Sequence, residues 1–140
     1  MKKVVLAIGL VTAAVLAVAC GAKDNTQTSR AIKSAPAGNN LTVSLATPDG
    51  VLKHGNTDFT VTFADDAGKP VDVGAIAMTF HMPQMATMAA MTDSAAFTTT
   101  DTPGIYRAKA TIETAGEWQV KVTYEGPKGT GQASFPVTAQ

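Results

Sequence analysis

An all-β domain, an immunoglobulin-like β-sandwich of about seven short strands, is the fold class this sequence predicts. Three observations lead there. From Leu41 onward apolar and polar residues alternate in short runs, the period of a strand with one buried face. Turn compositions such as Thr47-Pro48-Asp49-Gly50, Asp101-Thr102-Pro103-Gly104 and Gly126-Pro127-Lys128-Gly129 separate those runs. No long segment repeats at the helical period in competition with them.

The strands follow in order. Leu41, Val43 and Leu45 mark the first. In the second, Asp58 to Ala64, Phe59, Val61 and Phe63 share one face and Thr60 and Thr62 the other. The third, Val73 to Met82, groups Ile76, Met78 and Phe80 and turns His81 to the opposite face. Ala96 to Thr100 reads as a short edge strand. Tyr106, Ala108, Ala110 and Ile112 then alternate with Arg107, Lys109, Thr111 and Glu113. Trp118, Val120, Val122 and Tyr124 alternate with Glu117, Gln119, Lys121 and Thr123. Gln132 to Thr138 closes the sheet. The single Trp118, set in a clean alternation, is the expected core anchor.

Ahead of the domain stands a targeting segment. Lys2 and Lys3 precede an apolar run from Val4 to Val18, and small residues precede Cys20. The run is too short to span a bilayer stably. Leu16-Ala17-Val18-Ala19-Cys20 resembles a bacterial lipobox, which is cleaved before a cysteine that then carries acyl chains. The chain therefore divides into a lipoprotein signal peptide (1–19), a lipidated Cys20 with a flexible linker (20–40) and the sandwich (41–140). Ile32 is the only large apolar residue of the linker, too little to offset the entropy of ordering it. The expected partner of Cys20 is the membrane. Gly21 after it resembles the sorting signal for the periplasmic face of the outer membrane.

Composition excludes several functions. Lys and Arg number 11 and so do Asp and Glu, with no basic patch for nucleic acid. One cysteine allows no internal disulfide and no CxxC metal site. The chain carries no Ser–His–Asp or Cys–His arrangement, no phosphate-cradling glycine motif and no HExxH, so no enzymatic activity is expected.

Function concentrates between Met78 and Met91. Five of the six methionines lie there, and Met82, Met85, Met88 and Met91 recur every third residue with no Leu, Ile or Val between them. Thioether sulfur is a soft donor suited to Cu(I), and imidazole is a common copper ligand. Pro83 is expected to end the third strand, which would let the neighbours His81 and Met82 meet on one ion. The candidate metal ligands are thus His81, Met82, Met85, Met88 and Met91, and the expected cofactor is Cu(I). His54 reads as an exposed loop histidine that joins the site only if its loop shares that end of the sandwich. The residues leave other roles open for these methionines: core filling or a metal-free contact surface, one face of a short helix, or sacrificial oxidation to sulfoxide.

Several pieces resemble the YtkA-like/FixH-like family of small exported β-sandwich domains. They are His54-Gly55-Asn56-x-x-Phe59-x-Val61, Asp66-x-Gly68-Lys69-Pro70-Val71, Met82-Pro83-x-Met85, Pro103-Gly104-x-Tyr106 and Gly116-x-Trp118. The resemblance runs from Leu41 to Thr138. It implies a role in copper handling beside a metal efflux or oxidase-assembly protein, with Met82, Met85, Met88 and Met91 as the copper-related positions. Relatives often carry more histidine here, and this chain has only His81, so the resemblance implies Cu(I) rather than Cu(II). The resulting expectation is a lipid-anchored cell-envelope Cu(I) chaperone or scavenger.

Overall fold

Alternation is carried through into two antiparallel sheets. The structure, a computed structural model, describes residues 29–140. The expected signal peptide, Cys20 and the first part of the expected linker lie outside those residues. The described strands are β1 (Arg30–Gly38), β2 (Leu41–Thr47), β3 (Gly55–Ala64), β4 (Ala75–Met82), β5 (Met91–Ser94), β6 (Ala96–Thr99), β7 (Ile105–Ile112), β8 (Gly116–Gly126) and β9 (Gly129–Ala139). One sheet has the order β1-β2-β3-β7-β6 and the other β5-β4-β8-β9. Their inner faces form a β-sandwich core, as the sequence predicts. Seven of these strands answer to the seven expected runs; β1 and β5 are additional.

β1 corrects the expectation of a flexible linker up to residue 40. Its backbone pairs with β2 from Arg30↔Thr47 to Gly38↔Leu41. An edge strand needs only one ladder, so it can be held by backbone hydrogen bonds with few inward side chains. Ala37 is the β1 residue fully enclosed in the core. Asn39 and Asn40 join β1 to β2, both with left-handed φ (53° and 58°). That is the requirement of a two-residue type I′ hairpin, which asparagine tolerates well.

The core forms where aromatic residues of the two sheets meet. Phe59 packs edge-on against Phe80, with ring centroids 5.8 Å apart, and Phe63 against Tyr124 at 5.3 Å. Trp118 is fully buried on β8. Removing each such side chain from water contributes roughly 1.5–3 kcal/mol. Tyr106 adds a polar pin. Its hydroxyl donates to Asp72 Oδ1 (3.0 Å) and accepts from the Val73 N–H (3.3 Å), and burial pushes the phenol up from its ordinary value. The β3–β4 loop is thereby fastened to β7. Gly104, at φ +92°, lets this loop close in, since a Cβ there would lie 2.4 Å from Val71 N.

One end of the sandwich matters for function. β3 starts at Gly55 opposite Ile112, and β8 starts at Gly116 opposite Ala139. β4 finishes beside that same Gly116, where an added Cβ would lie 3.1 Å from Met82 Cε. The loop carrying His54, the turn at residues 113–115 and the β4–β5 hairpin therefore share this end. Ala95 alone links β5 in one sheet to β6 in the other, and its N–H donates to the Met78 carbonyl at 3.0 Å.

Candidate metal centre

β4 ends at Met82, just before Pro83 as expected, and Met82 itself is still part of the ladder. Its pairing with β5 runs Thr79↔Ser94, Phe80↔Asp93, His81↔Thr92 and Met82↔Met91. Pro83 lacks only its own N–H, so the residue before it still completes the ladder. Strand alternation then decides the faces. Met78, Phe80 and Met82 all point inward and are buried, Met82 with 1% of its surface exposed. This corrects the expectation that His81 and Met82 meet on one ion: they stand on opposite faces. Met82 is a core residue whose ε-methyl lies against Gly116. Met91, directly opposite, is half-buried and packs on the same core.

The hairpin keeps its register beyond this pair. Met85 and Met88 exchange both backbone hydrogen bonds, at 3.1 Å and 2.7 Å, around the turn Ala86-Thr87. A step of three residues along a strand reverses the face, since side chains alternate. Met82 and Met91 turn inward, and Met85 and Met88 turn out. The latter two are 48% and 42% exposed. Residues paired in this way have Cα atoms about 5.5 Å apart and side chains on one face. The two thioethers can therefore converge on a single ion.

The turn itself is strained. Ala86 has φ +47°, a conformation that costs a residue with a Cβ on the order of 1–2 kcal/mol. Ala86→Gly is expected to raise the unfolding free energy by up to about 1 kcal/mol, net of the added freedom of the unfolded chain. Urea denaturation checks this, and a lower value would show that the turn is not strained at this position.

His81 stands at the base of the hairpin. It is exposed on the outer face, with Nδ1 3.0 Å from Thr92 Oγ1. Met85 lies four residues further on, about 13 Å along a strand at roughly 3.3 Å per residue. His81 is thus a step below the thioether pair and not beside it. His54 does lie at the same end of the sandwich. Its Nδ1–H and its backbone N–H both donate to the Gln140 backbone oxygen, at 2.8 Å and 2.9 Å, which ties it to the end of β9. In the same loop the Lys53 ammonium, 2.6 Å from Asp49, holds that exposed carboxyl at about 2.

The electrostatics suit a soft, weakly charged ion. No charged residue occurs between His81 and Asp93. Among the described residues no group of three or more His, Cys, Asp or Glu side chains is placed to hold a metal. Their soft donors are the methionines of this segment. Sequence reasoning passed over Asp93, which shares the inward parity of Met91. Its Oδ2 is shielded from solvent with no hydrogen-bond partner among the described residues, and nothing in the structure explains it.

A family model described as YtkA-like matches residues 36–123, from within β1 to within β8 and across the whole β4–β5 hairpin. No curated protein and no solved structure matches the chain.

Proposed function

The chain belongs to the YtkA-like family, and from that premise we propose a lipid-anchored cell-envelope protein that carries Cu(I) on its β4–β5 hairpin. The observation that carries the reading is the pair of exposed, face-matched thioethers, Met85 and Met88, on an uncharged tip. Two thioethers are neutral soft donors and favour a monovalent soft ion over Zn(II). Two donors also leave positions on the ion open to a recipient's ligands. Cu(I) can then pass by ligand exchange to a metal efflux or oxidase-assembly protein. His81, with Nε2 free of the Thr92 contact, would supply an imidazole if the hairpin bends. The acylated Cys20 would keep this exchange close to the membrane. The protein acts as chaperone or scavenger, not as a catalyst.

A second reading is a metal-free interaction module. It draws on the same two side chains, which are the large hydrophobic residues most exposed among those described, and methionine adapts well to a partner's surface. Leucine preserves that apolar surface and removes the sulfur, so one variant separates the two readings. An anaerobic Cu(I) competition against a chromophoric chelator is the measurement. Changing Met85→Leu and Met88→Leu together is expected to weaken Cu(I) binding by roughly a hundredfold or more, since the soft donors are gone. Unchanged competition would end the metal reading, and retention of a captured partner by the same variant would favour the contact surface.

A further inference from the structure

The fold sorts four of the five methionines of this segment into two classes, with Met91 half-buried between them. Met78 and Met82 are each 1% exposed and belong to the core, whereas Met85 and Met88 are 48% and 42% exposed and lie outside it. Exposure governs reaction with small oxidants, because a core thioether must wait for the structure to open. We propose that Met85 and Met88 form a paired oxidation site that switches the hairpin tip between a soft-donor state and a polar sulfoxide state without disturbing the fold. The metal consequence of the switch rests on the Cu(I) reading given above, and the oxidation pattern does not.

The oxidant is hydrogen peroxide. A sulfur lone pair attacks one peroxide oxygen, an S–O bond forms and the O–O bond breaks. The sulfur loses two electrons and the peroxide leaves as water. The reverse reaction needs a thiol-dependent sulfoxide reductase: two thiols become a disulfide and the sulfoxide oxygen leaves as water. Oxidation uses one of the two sulfur lone pairs and draws electron density from the other, so a sulfoxide is a poor soft donor for Cu(I). A bound Cu(I) in turn lowers the sulfur's reactivity toward the oxidant, and the two states oppose one another at these sulfurs.

Placement makes this a switch in preference to damage. A sulfoxide at Met82 would carry a polar oxygen into the core, which is costly without a hydrogen-bond partner. At Met85 and Met88 the new oxygen enters water. The cross-strand hydrogen bonds that hold the tip are backbone bonds, and oxidation of the side chains leaves them in place.

The test titrates the full lipidated chain, in detergent micelles, with hydrogen peroxide and maps each sulfoxide by fragment ions. Fragment ions are needed because no Lys or Arg lies between Lys69 and Arg107, so one tryptic peptide holds all five methionines. Met85 and Met88 are expected to oxidise roughly tenfold or more faster than Met78 and Met82, with the thermal unfolding midpoint unmoved. Under denaturant the difference should vanish. Equal rates in the folded protein, or a midpoint that falls in step with oxidation of the pair, would overturn the proposal. The oxidised chain is then put through the Cu(I) competition. Loss of binding there is the expected result. Oxidised protein that binds like the untreated protein overturns the switch and leaves the metal reading standing. Untreated protein that does not bind Cu(I) ends the metal reading and with it the switch to a soft-donor state, while the oxidation map stands as a separate result.

Discussion

Met82→Ala is expected to lower the unfolding free energy by about 2–5 kcal/mol, the usual cost of emptying a buried methionine site, and to leave Cu(I) competition as it was. The two readouts on one protein decide which kind of residue Met82 is. It is enclosed between Phe80's face of β4 and Gly116 of β8, on the inner side of the sheet. A ligand would instead show the reverse pattern, a small stability change and lost binding. Met85→Ala provides the contrast. At nearly half exposure it should stay within about 0.5 kcal/mol of wild type, as surface substitutions do. If Met82→Ala weakened Cu(I) binding while barely moving the denaturation midpoint, the division into inner and outer methionines would be wrong.

Trp118→Ala is expected to cost about 3–5 kcal/mol, the range for a large aromatic removed from a core. The domain's whole stability is on the order of 5–15 kcal/mol, so the variant loses a large share of it and should melt roughly ten degrees or more lower. Trp118 is fully buried on β8, a strand flanked on both sides by β4 and β9. Its Nε1–H donates to the Thr114 carbonyl at 3.0 Å, closing the turn that leads into β8. The base of the methionine hairpin is β4, which rests on β8 from Ala75↔Glu125 to His81↔Gln119. Loss of Trp118 should therefore blur the tip as well as the core. Trp118→Phe keeps a ring and loses the indole donor, for a cost of about 1–3 kcal/mol from the carbonyl left unpaired. Calorimetry on the three proteins gives the ranking; an alanine variant melting within a degree or two of wild type would mean that the core does not depend on this side chain.

Most of the sandwich was legible because one buried face imposes a period of two on the sequence. Phe59-Val61-Phe63 and Trp118-Val120-Val122-Tyr124 lie buried in the structure as their alternation required. β1 was not legible by that rule. It is an edge strand with Ala37 as its enclosed residue, and it is held mainly by its backbone ladder, which leaves no periodic trace. A signal was nevertheless present in Asn39-Asn40, a pair suited to the left-handed turn that joins β1 to β2. β5 was hidden by the methionine run, whose spacing of three imitates a helix face. In a hairpin the same spacing has another meaning. Centred on the Ala86-Thr87 turn, it makes Met85 face Met88 and Met82 face Met91, with the two pairs on opposite sides. The parity of Met78, Phe80 and Met82 already put Met82 inside. Pro83 does end β4, whose last residue is Met82, but Met82 keeps its place in the ladder and with it the inward parity.

The edges of the two sheets have a consequence wherever many copies of the domain are held close together. An open edge strand is a template on which a neighbouring molecule can polymerise. Here β5 and β6 are four residues each, and the single residue Ala95 draws them together, although packed sheets ordinarily stand about 10 Å apart. That flank offers a foreign strand little to zip along. The long edge strands on the other flank, β1 and β9, contain Pro36 and Pro136, each of which interrupts the row of donors. Leu52 also caps the end of β9 through a parallel bridge to Ala139. A crowded layer of these domains is thereby discouraged from growing into fibres.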